Sequence, residues 1–126
     1  MKILVAEDEP MLLKTIELKL KKEGYEVITA MDGRDAIAKI EGLAPDMVIS
    51  DIMMPYASGL EIVSLVRKNT ENKIPIIILS AMEQEKVVME AFELGADDYI
   101  TKPFSLNELA IRVKRLMSQY GRTGSR

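Results

Sequence analysis

Four polar groups directly follow four apolar runs, and their types suit one kind of chemistry. Glu7, Asp8 and Glu9 follow Ile3-Leu4-Val5-Ala6, and Asp51 follows Met47-Val48-Ile49-Ser50. Ser80 follows Ile76-Ile77-Ile78-Leu79, and Lys102 follows Tyr99-Ile100-Thr101. If these runs are neighbouring parallel strands, the polar groups share one sheet edge, at the carboxyl ends where open α/β sheets bind ligands. Glu7, Asp8 and Asp51 would then crowd like charges into one crevice, which is unfavourable unless a cation enters or a proton is taken up. A hard divalent ion resolves that crowding, and Mg2+ typically combines one or two carboxylates with waters and phosphate oxygens. Lys102 places a positive charge opposite, and Ser80 a hydroxyl that can donate one hydrogen bond. Together they suit a tetrahedral, highly anionic group attached to an aspartate.

Each group alone has a plainer reading. Acidic residues ahead of Pro10 fit a solvated loop or the electropositive start of a helix. Asp51 ahead of a Pro-containing loop fits a turn residue. Ser80 with Glu83 fits a helix cap, and Lys102 a surface charge. The joint placement on one edge is what favours the chemical reading. With no cysteine and no histidine in the chain, disulfides, thiol chemistry, the usual structural zinc sites and imidazole catalysis are excluded.

The elements that must position these groups alternate. Strand-like runs are Lys2 to Ala6, Tyr25 to Ala30, Asp46 to Ser50, Ile74 to Leu79 and Asp98 to Thr101. Three are almost wholly apolar and rich in Val and Ile, as strands covered on both faces should be. Between them, Pro10 opens a helix with Leu12, Ile16 and Leu20 on one stripe, ended by Gly24. A second helix fits Gly33 to Glu41, stopped by Gly42 and Pro45. Ser58-Gly-Leu-Glu61 and Ser105-Leu-Asn-Glu108 have capping-box spacing, and the second opens a helix through about Ser118. A fourth helix fits Gln84 to Leu94 with Gly95 as its stop. A strand and a helix repeated in this way predict one parallel sheet with helices on both faces. At 126 residues the chain suits one domain. Its net charge of -3 leaves no basic footprint for nucleic acid. No apolar run approaches bilayer length and no signal-peptide pattern opens the chain, so a cytoplasmic protein with no membrane partner is expected.

The sequence resembles a receiver domain of the response regulators of two-component phosphorelay signalling. The matching pieces are Val5-Ala-Glu7-Asp8-Glu9, Ser50-Asp51-Ile-Met-Met-Pro55 with Gly59, Leu79-Ser80-Ala81, and Gly95-Ala-Asp-Asp-Tyr99-Ile-Thr-Lys102-Pro103-Phe104. The resemblance implies the CheY-like fold, a doubly wound five-stranded α/β sheet in the order 2-1-3-4-5, over residues 1–118. Residues 119–126 are expected to be a flexible tail or linker stub. It also implies a phosphoacceptor switch rather than a turnover enzyme. Asp51 would accept the phosphoryl group, and Glu7, Asp8, Asp51 and the backbone carbonyl of Met53 would hold Mg2+. Lys102 and the backbone of Ala81 and of Met53 would bind phosphoryl oxygens. Ser80 and Tyr99 would move together, and Lys102-Pro103 would be a cis peptide. The implied partners are a bacterial histidine kinase or phosphotransfer protein, with DNA reached only through a separate output domain.

Some positions depart from the family's habit. Ser80 stands where threonine is commoner, Glu7 where aspartate is common, and Ser58 where Asp or Asn is frequent. Met53 and Met82 are apolar where polar residues are frequent, and are expected to limit water access and slow phosphoryl loss. The stretch from Gly95 to Arg112 resembles receivers that dimerise through helix 4, strand 5 and helix 5 and drive winged-helix DNA-binding domains. The corresponding residues are Val88, Phe92, Asp97, Asp98, Glu108, Arg112 and Arg115, with Val88 at a place usually basic, so Glu108 would lack that partner. Val87 and Met89, about 100° apart per residue on a helix, cannot face the same way, leaving one or both of Val87 and Val88 partly exposed. The plainer reading of these charges is a solvated surface.

Three other functions fit the same pattern of elements. An aspartate-nucleophile phosphohydrolase generally needs an acid two residues after the nucleophile, where this chain has Met53. A flavin or nucleotide binder needs a Gly- or Ser/Thr-rich phosphate loop after strand 1, where Glu7-Asp8-Glu9 would repel phosphate without a cation. A pseudo-receiver would bind partners without phosphorylation, and would not need the intact set of Asp51, Lys102 and the acids.

Overall fold

Strands apolar on both sides must be covered on both sides, and the chain does so by sending alternate residues to opposite layers. The structure is a computed structural model and describes residues 1–69 and 73–121. Its order is β1 (Lys2–Ala6), α1 (Pro10–Lys22), β2 (Glu26–Ala30), α2 (Gly33–Leu43), β3 (Met47–Asp51), α3 (Gly59–Lys68), β4 (Ile76–Ser80), α4 (Glu85–Leu94), β5 (Asp98–Thr101) and α5 (Leu106–Gln119). All neighbouring strands are parallel, in the order β2-β1-β3-β4-β5, as expected. Ile3, Val5, Met47, Ile49, Ile77 and Leu79 face α1 and α5. Leu4, Ala6, Val48, Ile76 and Ile78 face α2, α3 and α4. Among the described residues, no helix is long and apolar enough to cross a membrane.

Boundaries differ from the sequence reading by a residue or two, for local reasons. β4 starts at Ile76 because Pro75 has no N–H to give a ladder; its carbonyl accepts from Val48 N instead. Asp46 lies ahead of β3, its carboxylate accepting from Lys2 N at 2.8 Å. Asp51 and Ser80 are the last residues of β3 and β4 rather than the first beyond them. α2 runs through Gly42 to Leu43, so Gly42 is no stop; Ala44 ends the helix at φ 46, ahead of Pro45. The buried stripe of α1 is Leu13, Ile16 and Leu20, with Leu12 half-buried beside it. Ser58 and Ser105 cap α3 and α5, accepting from Glu61 N and Glu108 N at 3.2 Å. Asp32 caps α2 in the same way, accepting from Asp35 N at 2.8 Å. α5 ends one residue beyond the expected 118, and Tyr120 is tied back by a 2.6 Å bond to Asp97. Residues 122–126 of the expected tail lie outside the described residues.

Two glycines let helices press against the loop that leaves β3. A Cβ at Gly33 would overlap the Ala57 carbonyl oxygen, and one at Gly59 the Asp51 carbonyl oxygen. Both obstacles are backbone. Gly59→Ala is therefore expected to cost about 1–3 kcal/mol, the usual range for overpacking. A urea titration should show a lower midpoint at unchanged slope; an unchanged midpoint would mean that the loop yields freely.

Candidate functional site

The strand order places the site. The chain winds from β1 outward to β2, then returns to β3 on the other side of β1, so a crevice opens where β1 and β3 end. Ala6 pairs with Ser50, which sets Glu7 beside Asp51. Ser80 pairs with Thr101, and Lys102 N donates to Ser80 O at 2.8 Å, which brings Lys102 to the same edge. All the acids, the lysine and the hydroxyl expected there are present on this edge. The Lys102-Pro103 peptide is cis.

Charge dominates the crevice. Carboxylate oxygens of Glu7, Asp8 and Asp51 lie within 4.8 Å of one another. Glu7 is fully buried, Asp51 is buried and Asp8 is exposed. Lys102 Nζ lies 2.8 Å from Glu7 Oε1 and 3.3 Å from Asp51 Oδ2. One ammonium thus pairs with two carboxylates, and Asp8 adds a third negative charge nearby. Glu7 Oε2 accepts from Glu9 N at 3.2 Å, whereas Oε1 has only the charge of Lys102 and no well-directed hydrogen bond among the described residues. Burial raises the Asp51 carboxyl above the ordinary range, against the opposing pull of Lys102. Burial also raises Glu7, with Asp51 adding to the rise. Burial works against the Lys102 charge, but the two carboxylates outweigh it and hold its pKa above the ordinary value. Hard oxygen donors and negative charge in excess of the one lysine fit a divalent cation such as Mg2+. The Met53 carbonyl is engaged by no hydrogen bond among the described residues, and its side chain is 64% exposed.

Ser80 and Tyr99 meet at a residue whose backbone part in the site was not legible in the sequence. Ser80 Oγ accepts from Met82 N at 2.9 Å, and Tyr99 Oη donates to Met82 O at 2.7 Å. Ser80 is buried and Tyr99 half-buried, so both ends of Met82 are held by the pair expected to move. Ser80 is not a helix cap: α4 begins at Glu85, with Gln84 ahead of it. Ala81 is exposed beside it.

Asp97 and Asp98 beside β5 and Glu108 and Arg112 on α5 are engaged within the chain rather than simply solvated. Arg112 binds Asp98 at 2.8 Å and Glu108 at 2.7 Å, so Glu108 has an intrachain partner despite Val88. Asp97 points away from that pair; it accepts from Arg67 and Ile76 N at 2.8 Å each, and from Tyr120 Oη. Arg115 is exposed, without an ion pair among the described residues. Val87 and Val88 are both half-buried, while Met89 and Phe92 are 51% and 43% exposed.

The loop after Asp51 contains a strained residue. Tyr56 has φ 72, rare for a side chain of this size. Ala57 N donates to Pro55 O at 2.9 Å across it, which makes a positive-φ γ-turn. Such backbone costs of the order of 1–3 kcal/mol. Arg34 lies over the Tyr56 ring, 3.9 Å from its centroid.

A family model for the response regulator receiver domain matches residues 3–114. The receiver domain of a Francisella response regulator is 38% identical, with a TM-score of 0.87, covering 94% of this chain and 97% of its own. The Vibrio cholerae chemotaxis protein CheY4 is 34% identical, with a TM-score of 0.84, covering 91% and 97%. The receiver domain of a signal transduction histidine kinase from Syntrophus aciditrophicus is 34% identical, with a TM-score of 0.87, covering 99% and 96%.

The electrostatics carry a test. Glu7 and Asp51 hold their protons more firmly in the folded state than in the unfolded one. Folding therefore loses stability as pH rises from about 4, the unfolded carboxyl value, through the raised folded values. Asp51→Asn removes one of the two groups. Without divalent ions its stability relative to wild type should grow across that window, read as a widening difference in melting temperature. Mg2+ should raise the wild-type melting temperature more than the variant's. A variant no more stable than wild type at pH 7 in EDTA would refute the reading of the crevice as self-repelling.

Proposed function

The chain belongs to the response regulator receiver domain family, and from that premise we propose that it accepts a phosphoryl group on Asp51 and relays the change to the face of α4, β5 and α5. The observation that carries the proposal is the setting of Asp51, buried on the switch-point edge within reach of Glu7, Asp8 and Lys102.

Glu7, Asp8 and Asp51, with the Met53 carbonyl, would hold Mg2+, which supplies charge neutralisation to the acids and to an incoming phosphoryl group. Lys102 pairs with Asp51 and Glu7 and is placed to take up phosphoryl oxygens. As an Asp51 oxygen bonds to phosphorus, the donor's bond to phosphorus breaks and the donor keeps the electron pair. The donor proposed is a phosphohistidine of a kinase or phosphotransfer protein. Positioning and charge neutralisation are what the site contributes, which suits a switch and not a turnover enzyme.

Output would start at Met82. To bind the phosphoryl group together with the Ala81 amide, Ser80 gives up the Met82 N–H, and Tyr99, bonded to the carbonyl of the same residue, feels the change. A homodimer through this face would use the exposed Met89 and Phe92, with Arg112 exchanging Asp98 or Glu108 for the other copy's acids. Control of transcription would then need a separate DNA-binding domain.

Intact-mass measurement after incubation with Mg2+ and a small acyl phosphate tests the reading. Wild type should gain one phosphoryl mass, Asp51→Asn none, and Lys102→Met should gain it about a hundredfold more slowly, as when one charge-stabilising contact is removed. No gain in wild type, or an equal gain in Asp51→Asn, would sink it. The methionines generate a second expectation. The Met53→Glu, Met82→Lys double variant should lose the phosphoryl group about tenfold faster, less than a well-placed general base contributes. Equal or slower loss would show that the methionines do not restrict water.

A further inference from the structure

Nothing in the phosphoryl chemistry above uses Arg67, yet its guanidinium engages three acceptors. Nε donates to Gly95 O at 2.9 Å, Nη1 to Ile74 O at 2.7 Å and Nη2 to Asp97 Oδ2 at 2.8 Å. Asp97 also accepts from Ile76 N at 2.8 Å and from Tyr120 Oη at 2.6 Å. The last turn of α3, the start of β4, the turn ahead of β5 and the residue after α5 are joined through these two side chains. The approach is close: Gly95 has φ 117, and a Cβ there would lie 2.7 Å from Arg67 Cγ.

These bonds hold one end of α4. Gly95 follows the last residue of the helix, and its N–H donates to Phe92 O at 3.0 Å. Ala96 N donates to Ala91 O at 3.0 Å, and Asp97 N to Ile76 O at 2.9 Å. The other end is held differently. Gln84, ahead of α4, gives no side-chain cap. Across residues 81–84, the hydrogen bonds to other elements among the described residues are those of Met82, to Ser80 Oγ and from Tyr99 Oη. Packing does not make up the difference. α1, α3 and α5 each bury three or more residues, whereas α4 buries Ala91, in its second half. Val87 and Leu94 lie half-buried toward its two ends. α4 is fixed firmly at Gly95 and lightly at Met82, and the light end is the one beside Ser80.

We propose that Arg67 is a positioning residue for the output face: it fixes the far end of α4, so that release of Met82 by Ser80 loosens and turns the start of the helix while the end at Gly95 stays in place. A helix held at one end confines the response to its first turns, which bear Val87, Val88 and Met89. The inference rests on the reading of Asp51 as phosphoacceptor and of Ser80 and Met82 as the first relay.

Amide hydrogen exchange, read residue by residue with and without Mg2+ and an acyl phosphate, tests it on wild type, Arg67→Met and Arg67→Lys. Each protein is compared with itself, so a general loss of stability does not enter. In wild type the phosphoryl group should speed exchange at Met82, Val87 and Val88 about tenfold, the scale of one lost hydrogen bond, and leave Ala96 and Asp97 unchanged. In Arg67→Met it should speed Ala96 and Asp97 about tenfold as well. Arg67→Lys keeps a charge beside Asp97 but not the planar fork, so Ala96 and Asp97 should respond there too. A merely structural arginine would weaken Ala96 and Asp97 equally with and without the phosphoryl group, and that result in both variants would overturn the inference. So would an equal response at the two ends of α4 in wild type, or none at Val87 and Val88. Intact mass of the same samples reads the premise separately: wild type that gains no phosphoryl mass would overturn the assignment of Asp51, and the inference with it.

Discussion

Two buried carboxylates share one ammonium beside a third, exposed carboxylate, and the rest of the molecule is arranged around that imbalance. In water such acids would repel one another weakly. Here Glu7 is fully buried and Asp51 nearly so, and the repulsion is felt at low effective dielectric. Lys102 relieves part of it, held at the edge by its own backbone bond to Ser80. The remaining charge is what makes the site a receptor for a cation and, with it, for an anionic group. A crevice already neutral would have no reason to take up either.

That imbalance was visible in the sequence because it depends on strand ends, and strand ends were readable. Apolar runs of Ile, Val and Leu marked the strands, and an acid, a hydroxyl or a lysine marked where each stopped. A register pair such as Ala6 with Ser50 then follows from two neighbouring parallel strands of similar length. Other features had no such signal. Asp97 resembled a surface charge, and only the folded chain brings Arg67, Ile76 and Tyr120 onto it. The stack of Arg34 on Tyr56 joins residues of α2 and the β3–α3 loop with no periodic relation. Met82 was read through its side chain, whereas its backbone proved to be the meeting point of Ser80 and Tyr99. Contacts that arise from tertiary approach leave little trace in periodicity or composition.

The two glycines and the capping residues belong to the same logic. α2 and α3 begin close against the loop that leaves β3, and only a residue without a Cβ fits at Gly33 and Gly59. Asp32 and Ser58 satisfy free amides at those same helix starts. The loop bearing Met53 is thus bordered by two ordered helix ends, and buried Ile52 and Ala57 anchor it to the core.

The core strands carry one more consequence. A strand with a single buried face is kept in register by its alternation of apolar and polar residues, because a slip of one place would expose its oily side. β3 and β4 are greasy on both sides, so alternation cannot anchor them; sliding Ile77 into the place of Ile76 would offend neither layer by polarity. What forbids the slide is the polar terminus of each run. Moving the strands inward would drag Asp51 or Ser80 beneath aliphatic neighbours, and moving them outward would put Ser50 or Leu79 at the acid crevice in their place. The ionisable groups therefore serve as end stops that align the sheet, and folding and chemistry draw on the same few residues.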